Sequence, residues 1–170
     1  MKKIVLLTAV FLLSLGASAQ KNAFVNTEMI FRSIPDYVSA LEAIDELGKE
    51  EQARIDADFA KIAEMYERYQ HQRQGLSENA RRQVEENIIK LENEATQKQA
   101  AAFGPDGALM QRRLALLKPI QDRVFGAIDK LAVERRCDMI VDISNNPSIV
   151  YYNKANDLTQ TVIEALGINK

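Results

Sequence analysis

The chain has 170 residues, of which 46% are hydrophobic and 27% are charged, and its formal net charge at pH 7 is -2. These values are typical of a folded domain and exclude a disordered, low-complexity chain. The negative balance also argues against nucleic-acid binding, which depends on basic surfaces.

The first residues have the pattern of an export signal. Lys2 and Lys3 give a positive start, an apolar run covers residues 4–15, and a small-residue motif ends at Ala19. The run is shorter than the roughly 20 apolar residues that cross a bilayer. We therefore predict a signal peptide over residues 1–19, cleavage after Ala19 and a periplasmic mature protein.

A short strand and a short helix are expected next. Residues Ala23 to Asn26 have a β pattern, and Thr27 suits the N-cap of a helix over Glu28 to Arg32. A proline in the first turn then predicts the start of a long helix close to residue 35.

Residues 37–120 read almost wholly as helix, with one good hairpin tip at Gly75-Leu76-Ser77. Ser77 suits the N-cap of the returning helix. Each limb carries an apolar stripe with heptad-like spacing. The outgoing stripe is Ile55, Phe59, Ile62, Tyr66 and Tyr69, and the returning stripe is Val84, Ile88, Leu91 and Ala95.

The returning limb is interrupted at Phe103 to Gly107, where two glycines and a proline remove helical hydrogen bonds. We predict a hinge there, formed by Gly104, Pro105 and Gly107, with an inert insertion as the alternative.

The last part of the chain reads as strand, turn, strand and helix. The strands are predicted at Met139 to Ile143 and Ile149 to Tyr152. Asp157 and Gln160 have the spacing of a capping box before a helix that ends at Gly167. Cys137 is the single cysteine, so no intrachain disulfide can form and burial as a small apolar residue is expected.

Three short strands cannot form an independent core, and two helices bury only one seam, so identical copies should complete the fold. The predicted fold is α+β and mostly α, with a coiled-coil-like helical hairpin projecting from a small β body that oligomerisation completes. The expected domains are the signal peptide, the β body at 20–36 and 121–170, and the hairpin arm at 37–120.

An enzyme is not expected. A catalytic triad would have to use His71, the single histidine, and the sequence has no phosphate-binding glycine loop or zinc-ligand cluster. We therefore predict no catalytic residues, no metal and no cofactor.

The mature chain resembles the Skp/OmpH family of periplasmic chaperones. The resemblance is most specific in residues 23–31 with Ile34-Pro35, in residues 117–142, and in the closing segment from Ile149 to Asn153 with Asp157 to Thr159. It implies a homotrimer whose hairpins enclose a cavity that holds unfolded outer-membrane proteins without ATP. The implied trimer interface uses Phe24, Val25, Ile140, Val141, Ile143, Ile149, Val150 and Tyr151.

One property departs from the resemblance. The best-known members of this family are strongly basic, whereas this chain is acidic, which argues against more than weak membrane or lipopolysaccharide contact.

The hairpin offers deformable and amphipathic side chains for weak client contacts. The candidates are Phe59, Met65, Tyr66, Tyr69 and Met110. The alternative is that they seal the hairpin seam, which we favour for Phe59 and leave open for Met65 and Tyr69. A second functional hypothesis is a structural coiled-coil adaptor or envelope spacer with one fixed partner.

Overall fold

A computed structural model of the protein describes residues 20–168, so the predicted signal peptide lies outside the described residues. The fold-class prediction is confirmed, because long helices forming a hairpin accompany a two-stranded sheet. In chain order the elements are β1 (Asn22–Val25), α1 (Thr27–Arg32), α2 (Pro35–Gln72), α3 (Glu78–Phe103), α4 (Ala108–Arg135), β2 (Met139–Asp142) and α5 (Thr159–Ala165), with short 3-10 turns at Arg73–Gly75 and Lys154–Asn156.

The chain divides into two compact units. One, here called the hairpin unit, covers residues 34–123, and the other, the sheet unit, combines residues 20–33 with residues 124–168.

The hairpin unit is held by a narrow apolar seam between α2 and α3. Ile62 and Tyr69 from α2 are buried against Ile88 and Ala95 from α3. Within each limb the two buried residues are seven apart, which is the heptad spacing that keeps one stripe facing a partner helix. Met65, Leu76, Val84 and Leu91 pack against this cluster and are partly buried.

Two members of the predicted outgoing stripe lie outside the seam. Phe59 keeps 38% of its surface exposed and Tyr66 keeps 52%, so the prediction that Phe59 seals the seam is wrong. Tyr69, by contrast, is only 5% exposed. Among the described helices, α3 is the single one that packs on this part of α2, and it covers a narrower stripe of α2 than the sequence pattern predicts. Phe59 and Tyr66 lie beside the covered stripe.

The hairpin tip follows the turn chemistry of its sequence. α2 ends at Gln72, a 3-10 turn follows, and the Ser77 hydroxyl accepts a hydrogen bond from the Ala80 amide at 3.3 Å. The predicted N-cap at Ser77 is confirmed. The Arg81 side chain donates to the Leu76 carbonyl oxygen at 3.1 Å, which adds a second tie across the turn.

The helical path is interrupted between α3 and α4, at residues 104–107. The Gly104 amide donates to the Ala100 carbonyl oxygen at 2.8 Å, and the Gly107 amide donates to the Gly104 carbonyl oxygen at 2.9 Å. A β-carbon on Gly107 would lie 2.7 Å from the Ala102 carbonyl oxygen, and one on Gly104 would overlap the Ala100 carbonyl. Glycine therefore permits a close backbone approach here, and the hinge itself stays a prediction.

A second apolar cluster of the hairpin unit joins α2 and α4. Ala40 and Ile44 are buried with Leu117, and the side chains that pack around them are Tyr37, Leu109 and Leu116. The returning limb thus continues its contact with α2 beyond the break.

In the sheet unit, β1 and β2 form a parallel pair in which Asn22 lies opposite Met139 and Val25 opposite Asp142. The other side of β1 contacts the segment before α5, because the Leu158 amide donates to the Phe24 carbonyl oxygen at 2.8 Å. β1 therefore has a partner on both sides, although only one of them is a strand.

The predicted third strand at Ile149 to Tyr152 is not formed in the described chain. Within residues 20–168 this β-type sequence pairs with no strand, and Val150 is 95% exposed and Tyr151 is 85% exposed. Residues 157 and 158 already occupy the side of β1 opposite β2, which leaves the segment no edge of β1 to pair with.

The cap predictions need two corrections. Asn26, not Thr27, is the N-cap of α1, because its side chain accepts from the Met29 amide at 2.9 Å. No capping box forms at α5, since Asp157 accepts from the Thr159 amide at 2.9 Å and the helix begins only at Thr159. The end of α5 is as predicted, with Gly167 in the left-handed region at a φ of 74°.

Carboxylates tie the segments of the sheet unit together. Asp142 at the end of β2 accepts from the Thr27 hydroxyl at 2.6 Å and amide at 3.2 Å, and also from the Ser144 amide at 2.9 Å. At the other end of the sheet, Asp138 accepts from the Lys21 amide at 2.7 Å. Burial raises the pKa of Asp142, but the hydrogen bonds from Thr27 and Ser144 outweigh it, and the pKa lies below the ordinary value.

The Asp142 contacts predict an acid-sensitive contribution to stability. A lowered pKa in the folded state stabilises the protein above the unfolded pKa of about 3.9, and that stabilisation is lost as the pH falls through the folded pKa. We expect Asp142→Asn to lower the free energy of unfolding at pH 7 by about 1 kcal/mol, measured by urea denaturation. The loss of stability between pH 5 and pH 3 should also be smaller in this variant.

Asp129→Asn is the control, because Asp129 is an exposed residue of α4 in the same unit. It should leave the stability at pH 7 unchanged. An Asp142→Asn variant with the same acid sensitivity as the parent would contradict the role of this carboxylate.

Candidate functional site

Several large apolar side chains of the hairpin unit lie outside its seam and are exposed to solvent. Single exposed apolar residues are ordinary on protein surfaces, but residues that adjoin one another indicate a contact surface. The exposed set of this unit is Val38, Leu41, Phe59, Tyr66, Ile89, Phe103, Met110 and Leu114. Tyr66 from α2 and Ile89 from α3 lie in the same cleft close to the tip.

This cleft, here called the tip cleft, has a volume of about 370 Å³ and opens between the two limbs of the hairpin. Its walls combine apolar side chains with charged ones. The lining residues are Tyr66, Tyr69, Gln70, Arg73, Glu85, Ile88, Ile89 and Glu92.

A hydrogen bond between the two limbs fixes one wall of the tip cleft. The buried ring of Tyr69 belongs to the seam, and its hydroxyl donates to the Glu85 carboxylate across the hairpin. This bond, together with burial and the negative charge of Glu85, raises the pKa of Tyr69, while the Arg73 guanidinium partly opposes the rise. The phenol is therefore neutral at physiological pH and acts as a donor.

The exposed wall of the tip cleft is apolar. Tyr66 is 52% exposed and Ile89 is 56% exposed, and neither belongs to the buried cluster of the seam. The wall therefore offers an aromatic ring and a branched aliphatic side chain to an incoming group.

A second cleft of about 320 Å³ lies between α2 and α4. Leu41, Ile44 and Leu109 line it together with Arg113, and an exposed ion pair of 2.5 Å between Lys49 and Asp45 stands at its rim. Exposed ion pairs of this kind contribute little to stability.

Comparisons with known proteins agree along nearly the whole chain. The sequence model of the family described as "Outer membrane protein (OmpH-like)" matches residues 21–166. The chain belongs to this OmpH-like family. The predicted Skp/OmpH resemblance is confirmed.

Two relatives of this OmpH-like protein extend the comparison. The chaperone protein Skp of Vibrio cholerae is 23% identical over 164 residues, which cover 96% of this chain and 93% of the relative. The crystal structure of an OmpH-like protein from Caulobacter crescentus CB15 superposes with a TM-score of 0.67 at 12% identity, covering 89% of this chain and 86% of that one. At that identity the superposition shows a shared fold.

The structure distributes the client-contact candidates of this OmpH-like protein over different environments. Phe59, Tyr66 and Met110 are exposed, and Met65 is half-buried against the seam. Tyr69 is a seam residue, so only its hydroxyl is placed to contact a ligand.

Ile89 is a member of the tip cleft that sequence reasoning missed. It follows Ile88, and two consecutive residues of a helix cannot both point into one narrow seam. That pair of isoleucines was the available signal, because the second one had to leave the seam.

The predicted interface residues of the sheet unit also differ in their exposure to solvent. Val25 is 2% exposed and belongs to the core of its own chain, so its assignment to an interface between copies is wrong. Phe24 is half-buried beside the Tyr152 ring, with ring centres 5.1 Å apart. Ile140, Val141, Ile143 and Ile149 are half-buried, while Val150 and Tyr151 are almost fully exposed.

Within residues 20–168, no helix is both long and apolar enough to span a membrane. The same residues contain no cluster of three or more His, Cys, Asp or Glu side chains that could hold a metal ion.

The two adjacent isoleucines separate seam packing from surface contact. Ile88→Ala should lower the free energy of unfolding by about 2–4 kcal/mol, because it opens a cavity in the seam. Ile89→Ala should change it by less than about 0.5 kcal/mol, because that side chain is largely solvated. Urea denaturation monitored by circular dichroism measures both, and equal losses in the two variants would contradict the seam described above.

Proposed function

We propose that this protein is an ATP-independent periplasmic holdase that binds unfolded outer-membrane proteins. Its membership of the OmpH-like family and its similarity over nearly full length to a protein named as the chaperone Skp support this proposal. The observation that carries it is the group of exposed apolar and aromatic side chains on the hairpin, above all Tyr66 and Ile89 of the tip cleft.

Holding many different clients requires contacts that are individually weak and adjustable. Met65 and Met110 are deformable, and Tyr66 combines an apolar ring with a polar end. Several such contacts acting together give a useful overall affinity, while each of them can dissociate by itself. Release of the client then needs no chemical step, which is consistent with a periplasm that supplies no ATP.

We propose further that the working form is a homotrimer whose hairpins surround the client. A sheet of two strands contributes little stability by itself, and the segment around Val150 and Tyr151 offers exposed apolar side chains to another copy. The break at Gly104, Pro105 and Gly107 would allow the hairpins to adjust to clients of different size.

Suppression of aggregation tests the proposal. Purified mature protein should keep several unrelated outer-membrane proteins soluble after dilution from urea, measured by light scattering, at close to one trimer per client. A structural adaptor or envelope spacer with one fixed partner would protect none of them, and that result would overturn the proposal.

A double variant locates the client surface. Tyr66→Ser with Ile89→Ser should raise the protein concentration needed for half-maximal protection by at least about threefold, because the exposed apolar wall of the tip cleft is lost. Gln83→Ser is the control, since it shortens an exposed polar side chain on α3, the helix that carries Ile89, at a position outside the cleft. Equal effects of the double variant and the control would remove the tip cleft from the client surface.

A further inference from the structure

The part of the hairpin formed by α2 and α3 is acidic, although the chain as a whole is close to neutral. α2 contains ten Asp or Glu side chains and four Lys or Arg side chains. From residue 35 to residue 103 there are 15 acidic and 9 basic side chains, a net charge of -6, whereas α4 contains three acidic and six basic ones. A partner with basic side chains is therefore electrostatically complementary to α2 and α3.

The acidic groups of the tip cleft differ in what they already bind. Glu85 accepts the hydrogen bond of the Tyr69 hydroxyl, and Arg73 stands beside the same phenol. Glu92 is exposed, and no ion pair or hydrogen bond engages its carboxylate within the part of the chain that the structure describes. Seven residues separate Glu92 from Glu85, about 10 Å along the helix.

The apolar wall and the free carboxylate lie in one cleft. Tyr66 and Ile89 supply an exposed ring and an exposed aliphatic side chain, and Glu92 supplies an unpaired negative charge. A Lys or Arg side chain matches both features, because its stem is aliphatic and its end is cationic. The face of a tyrosine also attracts cations directly.

We propose that the tip cleft binds a Lys or Arg side chain of an unfolded client, with the stem against Tyr66 and Ile89 and the cationic end paired with Glu92. This inference rests on the proposed holdase function and adds a preference to it, namely that the hairpin captures basic segments more tightly than neutral or acidic ones. Because the pairing is exposed, the preference weakens as salt is added.

Binding of matched peptides tests this preference. The probes are two fluorescein-labelled peptides of about 20 residues with alternating apolar and polar positions, typical of outer-membrane strands, one with three lysines and one with glutamines in their place. Fluorescence anisotropy with the mature protein at 50 mM salt should show the lysine peptide binding about three- to fivefold more tightly. The difference should shrink at 500 mM salt.

Two variants assign the preference to the cleft. Glu92→Gln should remove most of the difference between the peptides while leaving the glutamine peptide unaffected. Glu86→Gln changes the charge equally at an exposed position of the same helix outside the cleft, and it should keep the difference.

Other outcomes decide against the inference. Equal binding of the two peptides, or equal losses in Glu92→Gln and Glu86→Gln, would overturn the Lys/Arg site. If aggregation of outer-membrane proteins were still suppressed in that case, the holdase function would stand without the preference. A third peptide carries glutamates in place of the lysines. If it bound more tightly than the lysine peptide, the cleft would instead pair Arg73 with an acidic side chain, and the Lys/Arg site would be overturned.

Discussion

The narrowness of the seam between α2 and α3 governs the hairpin unit. Each limb buries residues seven positions apart, Ile62 and Tyr69 on one side and Ile88 and Ala95 on the other. A two-helix contact of this kind covers one stripe of each helix and leaves the adjacent positions in solvent. The exposed side chains beside the seam are a direct geometric result of having only two helices, and they are the surface on which the proposed function depends.

The sheet unit joins distant parts of the sequence with polar contacts. β1 and β2 are separated by more than a hundred residues, and the hydrogen bonds of Asp138 and Asp142 connect the two ends of the sheet to Lys21 and Thr27. Its apolar surface is only partly covered, since Val150 and Tyr151 remain exposed. The two units therefore share one property, which is that each leaves large apolar side chains exposed.

Local chemistry made much of the fold predictable. Gly75 and Ser77 marked the tip, the glycines of residues 104–107 marked the break between α3 and α4, and heptad spacing marked the seam. Features that depend on tertiary partners were harder to predict from the sequence. The segment from Ile149 to Tyr152 has strand-like residues, but a strand also requires a neighbour with free hydrogen-bonding groups. Likewise, only the geometry of the paired limbs could show that Tyr69 is covered while Phe59 is not.

The mass of the complex with a client tests the account most directly. Native mass spectrometry of the mature protein refolded with one outer-membrane protein should give three copies of this chain and one unfolded client, and three copies without it. A particle with a single copy of the chain, unchanged in mass when unfolded client is added, would contradict both the assembly and the client binding on which the account depends.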